Sequence, residues 1–143
     1  MIVHPEPGWR HLGTTSNADV FEIAADVVAV VPHPDCTDDE GSARESLLFQ
    51  EAHWRKLGRR GAAVVFMDPV LAQDSGARAV YANESRRALS VCFALVGETF
   101  FGHAVSAVFT GLAKPAVPTQ VFRSLAEARP WMAEMIAAHG GPV

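Results

Sequence analysis

The sequence predicts an α/β domain with a mixed five-stranded sheet, in the order ββαβαβαβα, its helices packed on the sheet. Three observations carry this expectation. Residues 27–31, Val27-Val-Ala-Val-Val31, and residues 62–67 are apolar without alternation, the pattern of strands covered on both faces. Thr37-Asp-Asp-Glu40 and Ser124-Leu-Ala-Glu127 have capping-box spacing and open helical stretches between or after strands. Helical crossovers of this kind set neighbouring strands parallel and cover the sheet.

The elements follow in order. Residues 1–18 read as an N-terminal arm, since they hold Pro5, Pro7, Gly8 and Gly13 and close on a Thr-Thr-Ser-Asn run; a short extended piece falls around residues 9–12. Residues 20–24 and 27–31 are β-rich runs parted by Ala25-Asp26, a hairpin. Pro32, Pro34 and Asp35 end the second run, and the first capping box starts a helix that Gly58 terminates as a left-handed residue. Residues 62–67 form the next strand. A helix from Asp74 or Ser75 to about Asn83 leads to a strand over residues 89–96. Gly97-Glu98 breaks that strand from an almost wholly apolar helix over residues 98–112. A linker ending at Pro118, a short strand over residues 119–122 and a helix with Pro130 inside it complete the domain, which spans residues 19–139; residues 140–143 are a tail.

Composition bounds the function. The 143 residues suit one domain, and 49% hydrophobic against 20% charged residues supply a core without a disorder bias. Twelve basic and sixteen acidic residues give a net charge of −4, which argues against binding nucleic acid through clustered cations; Arg55-Lys56, Arg59-Arg60 and Arg86-Arg87 read as solvated ends of elements. Cys36 and Cys92 sit in settings that give no reason to pair, and no signal peptide is evident, so a reducing, cytoplasmic setting is expected. Residues 91–112 are long and apolar enough to test as a membrane span. Gly97, Glu98, Gly102 and His103 interrupt them, and a buried strand followed by a helix is the better reading, so no span is expected.

Two local motifs carry a resemblance. Ala63-Val-Val-Phe-Met-Asp68, followed after a short loop by Asp74-Ser75-Gly76, resembles the strand–loop–helix phosphoacceptor segment of the STAS superfamily. That superfamily includes the bacterial anti-sigma-factor antagonists, the STAS-like branch and lipid-binding CRAL-TRIO-type bacterial domains. Val121-Phe-Arg-Ser-Leu-Ala-Glu-Ala-Arg-Pro-Trp131 is similar to the closing strand and helix of the STAS-like branch. The resemblance covers about residues 19–138. It implies a non-catalytic regulatory module, with Ser75, beside Asp74, as phosphoacceptor at a helix N-terminus that favours a phosphate. Read from the residues alone, Asp74 or Ser75 is first an ordinary helix N-cap, since Asp and Ser are common at that position whatever the function.

The remaining signals concern residues 98–112. Phe101, Ala104, Val105, Val108 and Leu112 make one helical stripe, and Phe100, Ala107 and Phe109 extend the apolar surface beyond it. A helix apolar nearly all round needs a cover. The arm, the C-terminal helix, a second copy of the chain in a homodimer and an apolar ligand are the alternatives. Phe100, Phe101, His103 and Phe109 are the candidate ligand or partner surface. A cofactor-free isomerase or cyclase is the enzymatic alternative, with Glu98, His103 or Asp68 as acid–base groups. His33-Pro-Asp-Cys36 and Glu51-x-His53 have ligand-like spacing, but no second pair completes a metal site. No GxSxG, GxGxxG or phosphate-loop motif is present, so no cofactor is expected. The partner expected is a protein or an apolar small molecule, without nucleic acid.

Overall fold

The first strand, β1 (Arg10–Thr14), pairs antiparallel with β2 (Ala18–Ala24), which turns at Ala25-Asp26 into the antiparallel β3 (Val27–Pro32). These strands belong to a computed structural model that describes Val3, residues 5–108 and residues 116–143, with side chains described as far as His103 and again from Ala116. After β3 come β4 (Cys36–Asp38), α1 (Glu40–Leu57), β5 (Arg59–Arg60), β6 (Ala62–Phe66), β7 (Val70–Gln73) and α2 (Ser75–Glu84). A 3-10 turn over Ser85–Ala88 leads to β8 (Phe93–Val96), α3 (Glu98–Val108), β9 (Thr119–Phe122), α4 (Leu125–His139) and β10 (Gly141–Pro142).

Among the described residues the main sheet has six strands in the order β1-β2-β3-β6-β8-β9. The first three form an antiparallel meander, and β3, β6, β8 and β9 run parallel. The α/β class and the mixed sheet match the sequence expectation; the count of five does not. The extra strand is β1, inside the stretch read as an arm. Arg-His-Leu-Gly-Thr lacks apolar alternation because its pairing to β2 is fixed by polar cross-strand partners at the sheet's edge. Arg10 Nη2 donates to Glu22 Oε2 at 2.9 Å, and Thr14 Oγ1 donates to Asp19 Oδ1 at 2.6 Å. Trp9 packs near Phe21 and Phe66, with ring centroids 5.8 and 5.9 Å away, and seats the arm on the sheet.

Strand alternation sends two core layers to opposite faces. Val20, Val28, Ala63 and Phe93 meet Ala43, Leu47 and Trp54 of α1 and Ala77 and Val80 of α2. Ala29, Val64, Phe66, Cys92, Ala94 and Phe122 meet Ala128 and Met132 of α4. Residues 93–108 are thus a buried strand and a separate helix, with Gly97 between them.

Boundaries shift where non-local pairing intervenes. β4 and β7 make a small parallel ribbon, which draws Thr37 and Asp38 into a strand; the first capping box is therefore Asp39 with Ser42, not Thr37 with Glu40. Gly58 ends α1 at φ 73°, as its placement predicts. Ser124 caps α4, accepting from Glu127 N–H, and Pro130 lies within that helix. β8 begins only at Phe93, because Leu89 takes a left-handed conformation and donates to the Arg86 carbonyl to close the 3-10 turn. The stretch read as a tail forms β10, paired antiparallel with β5.

Candidate functional site

On the α1–α2 face of the sheet, side chains near the carboxyl ends of two central strands are not fully covered. Val65 and Leu95 stay half-buried although β6 and β8 are interior strands. They belong to a cavity of about 570 Å³ between the sheet, α1 and α2, within the range that small-molecule sites occupy. Val30, Val65, Met67 and Leu95 form its floor, and Phe100 of α3 stands on one side. The room comes from small side chains on the helices. Ala79, Ala82 and Asn83 face it from α2 and Ser46 from α1, where larger residues would fill the gap over the strands. Clefts beyond the carboxyl ends of parallel strands are the usual ligand position in open α/β sheets.

One end of the cavity is polar and is organised by Asp38, 6% exposed. Its Oδ1 accepts from Ser42 Oγ at 2.5 Å and from Asn17 Nδ2 at 3.4 Å. Its Oδ2 accepts from Tyr81 Oη at 2.6 Å and from Gln73 Nε2 at 3.1 Å. The β4–β7 ribbon makes this convergence possible: Asp74 N–H donates to the Asp38 carbonyl at 3.1 Å, bringing Gln73 and the start of α2 beside β4. All four donors are neutral. Burial, followed by the charge of Asp38, pushes the Tyr81 phenol well above its ordinary value, so it stays a proton donor. Burial and the same charge also raise the Cys36 thiol.

The surrounding frame is tied by further polar contacts. Trp54 Nε1 donates to Ser90 Oγ, and Ser90 donates to Gln50 Oε1, each at 3.0 Å, in the core beneath the cavity. Arg44 of α1 forms a two-pronged bond to Glu84 of α2, at 3.0 and 2.7 Å, and also meets Glu40 at 3.1 Å. Arg44, then Arg87, holds the Glu84 carboxyl down at about 2.

Of the residues singled out from sequence, Phe100 lines the cavity. Phe101 is half-buried with the Arg123 guanidinium 4.8 Å above its ring. Glu98 and His103 are exposed and are not among the cavity's lining residues. Asp68 faces α3, where its Oδ1 accepts the Phe100 N–H at 2.9 Å. Asp74 is the N-cap of α2, accepting from Ala77 N–H at 2.8 Å, and Ser75 is the exposed first residue of that helix. Phe109 and Leu112 lie outside the described residues, as do the side chains of Ala104, Val105, Ala107 and Val108. His33 turns to Asp19 at 3.4 Å, and among the described residues no cluster of three or more His, Cys, Asp or Glu side chains forms a metal site.

Comparison with protein-family models, curated proteins and solved structures finds no match to the chain. Among the described residues, no helix is long and apolar enough to cross a membrane. Sequence reasoning missed Asp38, Gln73, Tyr81 and Asn17. Asp38 read as the interior of a capping box, and Tyr81, the chain's one tyrosine, was the available signal: a lone phenol in a short helix invites the question of its hydrogen-bond partner.

Proposed function

We propose that this protein is a non-catalytic binding module of STAS-like type whose cavity between the sheet and helices α1 and α2 takes an apolar small molecule. The observation that carries this reading is the 570 Å³ cavity with mainly apolar walls and a polar cluster around Asp38. Half-buried Val65, Leu95 and Phe100 offer apolar surface that a ligand would remove from water. The polar end supports binding rather than acid–base catalysis, because Asp38 already accepts four hydrogen bonds and Tyr81 holds its proton.

Titration with the uncharged fluorophore N-phenyl-1-naphthylamine tests the reading. Saturable one-to-one binding is expected, weakened roughly tenfold or more in Ala82→Trp, since the indole fills the space facing the strands. Absence of saturable binding, or equal binding by a folded Ala82→Trp variant, overturns it. A regulatory version adds phosphorylation of Ser75, supported by the exposure of that residue at the first turn of α2. Peptide mass mapping after incubation with ATP and cell extract reads this directly, and an unmodified Ser75 removes that version.

A further inference from the structure

The buried carboxylate at the polar end of the cavity has hydrogen bonds but no cationic partner. Asp38 is 6% exposed, and among the described residues no Lys, Arg or His forms an ion pair with it. Hydroxyl and amide donors stabilise a carboxylate without cancelling its charge. Its field therefore reaches into a cavity whose other walls are mainly aliphatic and weakly screening.

Among the described residues, Arg78 is the one Lys or Arg lining the cavity. It is exposed, and its Nη1 donates to the Gln73 carbonyl at 2.7 Å. Water and salt screen an exposed cation far more than a buried anion, so Asp38 dominates the potential inside. Burial first, and the charge of Asp38 second, raise the Tyr81 phenol and the Cys36 thiol.

Three of the four donors, Asn17, Gln73 and Tyr81, line the cavity. The bonds of Asn17 and Gln73 are the longest, at 3.4 and 3.1 Å, against 2.5 and 2.6 Å for Ser42 and Tyr81. A stronger, charged donor can displace either amide by a rotamer change.

We infer that the cavity selects an apolar molecule bearing one protonated amine, the ammonium pairing with Asp38 and the hydrocarbon body lying over Val65, Leu95 and Phe100. This rests on the binding reading above and assigns its charge specificity. Asp38 and Arg78 make opposite predictions, amine against carboxylate, so the ligand's charge decides between them.

Competition against bound N-phenyl-1-naphthylamine at pH 7 tests the inference with four probes built on a ten-carbon chain: decylamine, N-decylacetamide, decanol and decanoate. Decylamine should displace the fluorophore at a concentration lower by about tenfold or more than either uncharged probe, with decanoate weakest. That preference should survive 0.5 M NaCl, because a desolvated pair is weakly screened. Asp38→Asn should bring decylamine to the level of N-decylacetamide. Should this variant fail to fold, the salt series and the amine–acetamide comparison on the unaltered chain still decide. Equal displacement by all four probes, a preference for decanoate or an uncharged probe, or an amine preference abolished by salt overturns the charge assignment while leaving the cavity as a binding site. Failure of the fluorophore itself to bind overturns the binding reading instead.

Discussion

The carboxylate of Asp68 accepts the backbone N–H of Phe100 at 2.9 Å, so the loop after β6 closes the open N-terminus of α3. Gly97 permits the approach, since a Cβ there would overlap the same carboxylate. The contact fixes Phe100 as a wall of the cavity. Asp68→Ala should therefore destabilise the fold by about 1 kcal/mol in urea unfolding and weaken N-phenyl-1-naphthylamine binding, with Asp68→Asn retaining most of both. Unchanged stability in Asp68→Ala would show that the capping contact is dispensable.

Ser90 is the middle of a buried relay, accepting from Trp54 and donating to Gln50. Ser90→Ala strands the indole N–H and the Gln50 carbonyl oxygen away from water, where each unmet group costs about 1–3 kcal/mol. The variant should unfold at clearly lower urea concentration. Replacing all three polar partners at once, as Trp54→Phe, Gln50→Leu and Ser90→Ala, should cost less than the sum of the single changes. Strict additivity would contradict a coupled relay.

Glu84 sets an acid limb of stability. Arg44 and Arg87 lower its folded pKa from the ordinary 4.5 to about 2. Its contribution is therefore complete above pH 4.5 and fades as the pH falls toward 2. Because the pair lies at the surface, added salt should shrink the effect. Thermal melts between pH 6 and 2 should show a shallower decline in Glu84→Gln than in the unaltered chain; parallel curves would remove Glu84 as a source of the limb.

Both thiols should be sluggish in the native state. Burial pushes Cys92 up to about 12 and, with the Asp38 charge, also raises Cys36. The thiolate is the reactive species, so at pH 7.5 a disulfide reagent such as Ellman's should modify native protein far more slowly than urea-unfolded protein, which should release two equivalents. Rapid reaction of one thiol in the native protein would show that Cys36 is neither shielded nor held protonated.

The elements that proved legible in sequence are those fixed by neighbours in the chain. Gly58 ends α1 because a left-handed residue must stand there, and Ser124 opens α4 by accepting the N–H of Glu127, three residues on. The unalternating run at residues 27–31 reads as an interior strand because both faces of β3 are covered. β1 escaped because an edge strand held by Arg10–Glu22 and Thr14–Asp19 pairs needs no apolar period. The shift of the first cap from Thr37 to Asp39 escaped because β7, distant in sequence, recruits Thr37 and Asp38 into a ribbon.

By itself, then, the sequence determined the layered α/β class, the hairpin, the break at Gly97, the end of α1 at Gly58 and the start of α4 at Ser124, all set by local backbone preferences and apolar period. The tertiary structure alone decided the cavity and its polar end. Asn17, Asp38, Ser42, Gln73 and Tyr81 come from separate elements with no shared spacing, and they meet only once the β4–β7 ribbon and the α1–α2 pair have closed over the sheet. A local pattern carries no record of such a meeting, because the energy that enforces it, desolvation of one carboxylate matched by four donors, exists only in the folded core.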